Sequence, residues 1–213
     1  MKLDLHIHTS YSPDGKVDPK DVLKIAKKLG IDAIAITDHN EIKGALKARS
    51  YGILPVIIGE EVSTLSGHVL AYNIECLIPR GLTVEETIEK IQECSGIAVI
   101  AHPYRYWSGV GEKETIKNIR HVDGIEIFNG RCKERSNKKA KTLAEKYNKF
   151  GTGGSDAHFP EHIGKAGVVT DCYDIPECLK NAKTFGSSRT SLETIAYVKK
   201  AVGEWIKRGF KRI

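Results

Sequence analysis

Cysteine is scarce in this 213-residue chain, which has five, at Cys76, Cys94, Cys132, Cys172 and Cys178. No two of them form a Cys-x-x-Cys pair, so the sequence does not predict a zinc site built from thiolates. Their odd number and wide spacing argue against a disulfide scaffold. We therefore expect reduced thiols, as in a cytosolic protein.

Long apolar runs are also absent. The chain starts Met-Lys-Leu-Asp-Leu-His, with charge and histidine where a signal peptide would need apolar residues, and no later run is long enough to span a bilayer. These features predict a cytoplasmic protein without a membrane segment. With 40% hydrophobic and 28% charged residues, the composition is that of an ordinary globular protein.

The charge of the chain is mildly positive. Its 33 lysines and arginines outnumber 27 aspartates and glutamates, for a formal net charge of +6. Such a surface suits phosphate-bearing substrates and would tolerate nucleic acid. The basic run from Arg131 to Lys141 is interpreted as a solvated helix face, and no aromatic-rich basic stripe for stacking bases is evident. A small phosphorylated molecule is therefore favoured over nucleic acid.

Short apolar runs alternate with amphipathic stretches along the chain. Asp18-Pro19 and the capping-box pair Thr83 and Glu86 indicate helix starts. The pattern predicts strands at 3–8, 32–37, 55–59, 97–101, 124–128, 152–155 and 166–170, an extended segment at 68–73, and helices beginning near residues 18, 41, 83, 113, 136 and 190. This alternation predicts an α/β protein with a parallel sheet, either open or closed into a barrel. No Gly-x-Gly-x-x-Gly follows the first strand, so a dinucleotide-binding fold has no support.

Residue types that bind metals recur where the predicted strands end. They are His6, His8, Asp38, His39, Glu60, Glu61, His102, Asp156 and His158. In α/β barrels the carboxyl ends of the strands carry the active site, so this distribution favours a closed barrel. Residues two apart on a strand face the same way, so His6 and His8 can bind one ion. Nitrogen and oxygen ligands without thiolate indicate zinc, manganese or iron.

Each of these motifs alone could be an ordinary turn, cap or core feature. Together they occur in a fixed order: His6-x-His8, Ser12-x-Asp14-Gly15, Thr37-Asp38-His39-Asn40, Gly59-Glu60-Glu61-Val62-Ser63, His102-Pro103 and Gly154-Ser155-Asp156-Ala157-His158. This order closely resembles the PHP (polymerase and histidinol phosphatase) family, and the resemblance runs from His6 to Val169. It implies one PHP domain over residues 1–213, folded as a distorted seven-stranded TIM-like β/α barrel. A helical region over 174–213 is expected to pack on the barrel.

The resemblance also implies two or three divalent metal ions and a ligand set for each. His6, His8, Glu61 and Asp156 resemble the ligands of a first ion. Glu61, His68 and His102 resemble those of a second ion, with the Glu61 carboxylate as the bridge, and Asp14, His39 and His158 those of a third. Glu61 is preferred to Glu60 because the bridging glutamate of the family precedes an aliphatic residue and a Ser or Thr, here Val62-Ser63.

The expected reaction is hydrolysis of a phosphoester. The nucleophile would be a metal-bound water, so that no protein nucleophile is needed, and Arg105 and Arg131, which follow strand ends, would bind the substrate phosphate. The acid that protonates the leaving group stays open between water and Asp38. The substrate would be a small phosphomonoester or a nucleotide. The alternatives are a 5′-nucleotide or oligonucleotide phosphoesterase or exonuclease, and a non-catalytic module that regulates a partner. The oligomeric state is left open.

Overall fold

A computed structural model describes residues 1–172 and 175–188 of the chain. The final helix expected from Thr190, and with it most of the helical region expected to pack on the barrel, lies outside the described residues. Within that region, residues 175–188 form a short 3₁₀ turn at Glu177–Leu179 and a strand, not a helix.

Nine strands and five helices make up the described part of the chain. The strands are β1 (Lys2–Ile7), β2 (Ala33–Ile36), β3 (Val56–Thr64), β4 (Gly67–Tyr72), β5 (Ile97–Ile100), β6 (Gly124–Asn129), β7 (Phe150–Gly154), β8 (Ala166–Val169) and β9 (Lys183–Gly186). The helices are α1 (Pro19–Lys28), α2 (Lys43–Ser50), α3 (Val84–Glu93), α4 (Glu112–Lys117) and α5 (Glu134–Lys146). Asp18 caps α1 and the Thr83–Glu86 capping box starts α3, as predicted.

The strands form one sheet in the order β7-β6-β5-β4-β3-β2-β1-β8-β9. The prediction of a parallel sheet was wrong for two strands, since β4 pairs antiparallel with β3 and β5, and β8 pairs antiparallel with β1. Strand β9 in turn pairs antiparallel with β8. Only Leu65 and Ser66 separate β3 from β4, and so short a connection can join only antiparallel strands. The strand predicted at 166–170 is also not the last strand, because β9 follows it.

Strands β1 to β7 follow chain order around a nearly closed barrel. The gap between β7 and β1 is bridged by backbone hydrogen bonds from the Asp156 N–H to the His6 carbonyl (2.8 Å) and from the His8 N–H to the Ala157 carbonyl (2.9 Å). The predicted barrel-like α/β fold is thus confirmed, with β1 to β7 in chain order, β8 at the position predicted for a strand, and β9 outside the predicted set.

Two apolar clusters hold these layers together. The larger joins residues of the helices, such as Leu23, to alternate strand residues such as Ile34 and Ile36. The smaller contains strand residues of the other parity, such as Leu3 and Leu5, and no member of α1–α5. It therefore covers the face of the sheet that the helices leave free, inside the barrel. Among the described residues, no helix combines the length and apolarity needed to cross a bilayer.

Four of the five cysteines are joined in disulfides, Cys76 to Cys94 and Cys172 to Cys178, whereas Cys132 is free and buried. The expectation of reduced thiols was therefore wrong for these four. Their Cα atoms lie 6.4 and 5.6 Å apart, within the range that a disulfide requires. The first pair is 18 residues apart along the chain, so only the folded structure brings its members together.

Candidate metal centre

The carboxylate of Glu61 lies at the centre of a cluster of imidazoles. Its Oε2 atom lies 3.1 Å from Nε2 of both His6 and His8. Its Oε1 atom lies 2.7 Å from Nδ1 of His68 and 2.9 Å from Nε2 of His102. The Glu61 side chain is buried, so four imidazoles replace the water that would otherwise solvate its charge.

The neighbouring Glu60 faces away from this cluster because successive residues of a strand alternate between its faces. Its Oε2 accepts a hydrogen bond from the backbone N–H of Ile78 (2.9 Å). Burial raises the pKa of Glu60 to about 7. The geometry therefore brings Glu61, and not Glu60, to the histidines.

Two aspartates complete the cluster on the side of β1. Oδ1 of Asp156 lies 3.5 Å from His8 Nε2. Oδ2 of Asp14 lies 2.7 Å from His158 Nε2 and 3.8 Å from His39 Nε2. All nine residues expected to bind metal thus meet in one site.

The nine residues form four overlapping groups of donor atoms that lie within 4.8 Å of one another. These groups are His8, Asp14, His39 and His158; His6, His8 and Glu61; His6, His102 and Asp156; and His39, Glu61 and His68. The division differs from the expected ligand sets, since His8 joins the Asp14 group and His102 joins Asp156. The groups share members, so neighbouring ions in this site would share ligands.

The carboxylates of the site are held in their ionised form. Burial acts to raise the pKa of Glu61, but the surrounding imidazoles, that of His39 first, hold it well below its usual value. Burial is likewise outweighed at Asp156, where Arg131 makes the largest contribution to a low pKa. The pKa of Asp14 is also well below its usual value, because His158 outweighs its burial. Ionised carboxylates are the form that binds cations.

The histidines fall into two electrostatic classes. Burial lowers the pKa of His39 to about 3 and that of His158 to about 4, and it also lowers the pKa of His102. A lowered pKa favours the neutral imidazole, which is the form that binds metals. For His6 and His8, burial is outweighed by the carboxylates around them, which raise the pKa of His8 to about 9 and that of His6 well above its usual value.

Two of the nine residues have unusual backbone conformations. His102 and Asp156 adopt positive φ angles of 25° and 53°. Non-glycine residues rarely adopt such angles, and where they do, the residues often belong to functional sites. Both residues follow strand ends, where the chain turns sharply and directs these side chains into the cluster.

Comparison with known proteins identifies the family. A family model described as the PHP domain matches residues 4–194. The chain belongs to the PHP domain family. An uncharacterized protein from Methanocaldococcus jannaschii is 41% identical to this PHP chain over 144 residues, which are 61% of the chain and 82% of the relative.

Two solved structures share the fold of this PHP chain. One is a two-domain protein from Bacteroides vulgatus described as containing a predicted PHP-like metal-dependent phosphoesterase; it has a TM-score of 0.71 and 19% identity, over 87% of this chain and 64% of that one. The other is endonuclease Q in complex with a 27-mer duplex substrate that has an abasic lesion at the active site. It has a TM-score of 0.69 and 16% identity, over 88% of this chain and 60% of that one.

The two arginines expected to bind phosphate lie at the edge of this PHP site. Arg105 Nη1 is 2.6 Å from Oδ2 of Asp156, and Arg131 Nη1 is 2.8 Å from Oδ1 of the same carboxylate. Arg131 Nη1 also lies 3.0 Å from both ring nitrogens of His158. Their side chains are 24% and 6% exposed, so Arg105 is the more accessible of the two.

The sequence pattern predicts no role for Glu126, which is nevertheless directly involved in this site. Its Oε1 lies 2.9 Å from Nδ1 of His6, and its Oε2 accepts hydrogen bonds from the backbone N–H of His102 (2.8 Å) and from Asn129 Nδ2 (3.1 Å). It thus orients two of the nine residues. The signal in the sequence was a charged residue inside the apolar run 125–127.

Asp4 is a second buried carboxylate for which the sequence pattern predicts no role. Its Oδ1 accepts a hydrogen bond from the Ser155 N–H (2.8 Å), and its Oδ2 accepts one from the Gly164 N–H (3.0 Å). Burial raises the pKa of Asp4 to about 6. The side chain ties β1 to the segment that carries Asp156.

Proposed function

We propose that this PHP protein is a metal-dependent phosphoesterase that hydrolyses the phosphomonoester of a small molecule or nucleotide. The observation that carries the proposal is the convergence of nine nitrogen and oxygen donors around the Glu61 carboxylate. A site with so many donors and no thiolate suits hard or borderline divalent ions. A non-catalytic module would not need this full set of donors.

The polar atoms of the site fit bound ions. The buried Nδ1 atoms of His39 and His102 have no hydrogen-bond partner, which is costly unless another group satisfies them. The four overlapping donor groups offer room for two or three ions, held by the nine residues named above. Such ions would stabilise negative charge on phosphate oxygens and make a nearby water more acidic.

Arg105 and Arg131 supply the positive charge that would hold the substrate. Their guanidinium groups lie on the Asp156 side of the cluster and match the geometry of phosphate oxygens. Cys132, the free thiol, is not suited to act as a nucleophile, because burial raises its pKa to about 12. Water therefore remains the proposed nucleophile. Asp38, one of the candidates for the leaving-group acid, accepts two hydrogen bonds from Thr9.

The test is to measure bound metal in the purified protein and phosphate release from a phosphomonoester panel with added zinc, manganese or iron. We expect metal-dependent release, and its loss after chelation. His8→Ala and Asp156→Ala should each remove most of the activity. Full activity in both variants, or a protein that neither contains nor accepts metal, would refute the proposal.

A second candidate substrate is the end of an oligonucleotide. A cavity of about 730 Å³ beside Tyr104 is lined by four cations, Arg135, Lys138, Lys139 and Lys146, and by two carboxylates, Glu112 and Glu134. The excess of cations could contact the phosphates of a longer strand. The likeness to DNA-bound endonuclease Q is consistent with this candidate. If it is correct, activity on oligonucleotides should fall steeply with salt while activity on small phosphates does not.

We expect Glu126→Ala to weaken metal binding by about 10- to 100-fold, the usual cost of removing a group that orients a metal-binding histidine. The reason is that Glu126 accepts from His6 Nδ1 and so leaves Nε2 free to face the cluster. Glu126→Gln retains an acceptor oxygen and should therefore weaken metal binding less than Glu126→Ala does. Titration of metal into chelator-treated protein measures the difference, and equal affinity in wild type and Glu126→Ala would rule out this role.

A further inference from the structure

Strand β6 is irregular just before it reaches the metal centre. Glu126 pairs with Thr152 of β7, but Gly153, the next residue of β7, lies opposite Phe128. Between these two pairings β6 therefore has one residue, Ile127, more than β7. Such an extra residue is a β-bulge, a feature that is frequent next to active sites because it changes the direction of the side chains that follow.

The bulge brings Asn129 to the same face of β6 as Glu126. On a regular strand, residues three apart point to opposite faces of the sheet. Here both side chains are only 1% exposed, and Asn129 Nδ2 donates a hydrogen bond to Glu126 Oε2 at 3.1 Å. The extra residue thus directs a second polar side chain of β6 toward the metal centre.

The side-chain amide of Asn129 is hydrogen-bonded at both of its ends. Its Nδ2 atom carries two hydrogens and donates to Glu126 Oε2 and to Asp156 Oδ2, the latter at 3.2 Å. Its Oδ1 atom accepts from the backbone N–H of Arg131 at 2.9 Å. The opposite orientation of the amide would turn its oxygen toward two carboxylates, so the orientation described is the one that the neighbours of Asn129 require.

The backbone of Asn129 is held from outside the metal centre. Its N–H donates to Oδ1 of Asn137 on α5 (3.1 Å), and Asn137 Nδ2 donates back to its carbonyl (3.2 Å). On the other side, the Gly130 N–H donates to the Gly154 carbonyl of β7 (2.9 Å). A side chain can align a binding site only if its own position is fixed by rigid elements, and Asn129 meets this condition.

The two carboxylates that share the Asn129 nitrogen have different partners in the centre. Glu126 Oε1 lies 2.9 Å from Nδ1 of His6. Asp156 Oδ1 lies 3.5 Å from Nε2 of His8, while its Oδ2 receives the hydrogen bond from Asn129. One amide nitrogen therefore joins the carboxylate that orients His6 to the candidate ligand Asp156.

We infer that Asn129 is a positioning residue of the metal centre, which aligns Glu126 and Asp156 through the two hydrogens of its Nδ2 atom. The inference rests on the proposed metal-dependent function and adds to it a residue that acts through other side chains. Loss of the Asn129 amide should therefore weaken metal binding itself, which can be measured without any substrate.

The first measurement is the titration of zinc or manganese into chelator-treated protein. We expect Asn129→Ala to bind metal about 10- to 100-fold more weakly than the wild type, the usual cost of removing a group that orients metal ligands. The matched control is Asn118→Ala. Asn118 is also 1% exposed, but its Nδ2 donates to the carbonyl (3.0 Å) and the carboxylate (3.1 Å) of Glu114 on α4. Its loss should lower stability in urea and leave metal affinity near that of the wild type.

A double-mutant cycle separates alignment through Glu126 from a general effect on the fold. Effects of independent substitutions add in free energy, so their fold-losses in metal affinity multiply. Asn129 acts in part through Glu126, so Asn129→Ala should cost less affinity in the Glu126→Ala background than in the wild type. If Asn129→Ala does not fold, Asn129→Leu, which keeps most of the side-chain volume, replaces it in the same cycle.

The outcomes distinguish this inference from the proposed function. Equal metal affinity in Asn129→Ala and the wild type, or single losses that multiply fully in the double variant, overturns the role of Asn129 alone. Metal binding that depends on Asn129, without phosphate release from the phosphomonoester panel, refutes the phosphoesterase and supports the positioning role. A wild-type protein that accepts no metal overturns both.

Discussion

Replacing Glu61 by glutamine is expected to slow the proposed phosphoester hydrolysis by about 10³-fold or more. Stabilisation of charge by bound metal contributes several kcal/mol to the transition state, and each 1.36 kcal/mol is a factor of ten in rate. Loss of the Glu61 charge should remove most of this stabilisation. The reason is that its two oxygens contact the imidazoles of His6, His8, His68 and His102. Glutamine has nearly the same shape but no charge and only one acceptor oxygen.

Glu60→Gln is the matched control for this substitution. It makes the same chemical change one residue earlier on β3, where the side chain faces Ile78 and not the cluster. Glutamine can still accept the Ile78 hydrogen bond through its oxygen, so metal content and rate should stay near those of the wild type. The measurements are metal per chain and kcat for both variants. If Glu61→Gln binds metal and turns over like Glu60→Gln, Glu61 is not the bridge.

The candidate site could be predicted in large part from the sequence, because its residues obey a simple rule of position. His6 and His8 follow one apolar run, and Asp156 and His158 follow another, more than 140 residues later. In a barrel the carboxyl ends of the strands meet at one rim, so residues far apart in sequence converge without any knowledge of their contacts.

The parts that the sequence did not predict depend on pairings between distant segments. Glu126 contacts His6 across 120 residues of chain, and no local pattern selects that partner. The same holds for the disulfide between Cys76 and Cys94, which joins the segment after β4 to the end of α3.

The direction of β4 is a different case, because the short connection that determines this direction is part of the sequence. The run of residues 68–73 was predicted to be extended, but the alternating pattern of strands and helices favoured a parallel arrangement. The two-residue connection at Leu65 and Ser66 excludes a parallel crossover. The resulting hairpin positions His68 beside Glu61, with which its Nδ1 makes a 2.7 Å contact.

The second large effect is expected at Gly154, where β7 lies against His6 of β1. A Cβ added at Gly154 would lie 2.5 Å from the backbone nitrogen of His6 and would also meet His6 Cβ. Backbone atoms cannot move aside as a flexible side chain can, so Gly154→Ala must push the two strands apart. Overpacking of this kind costs about 1–3 kcal/mol in the free energy of unfolding, and sometimes more.

Gly154→Ala should damage the metal centre as well as the fold, because the displaced residue His6 belongs to the cluster and Asp156 follows two residues later. The control is Gly151→Ala on the same strand, where the added Cβ would meet the side chain of Ile127. That side chain can repack, so the loss of stability should be smaller and the metal content unchanged. Urea unfolding and metal analysis of both variants measure the two effects. Equal destabilisation with full metal content in both would show that the contact between Gly154 and His6 does not hold the centre in place.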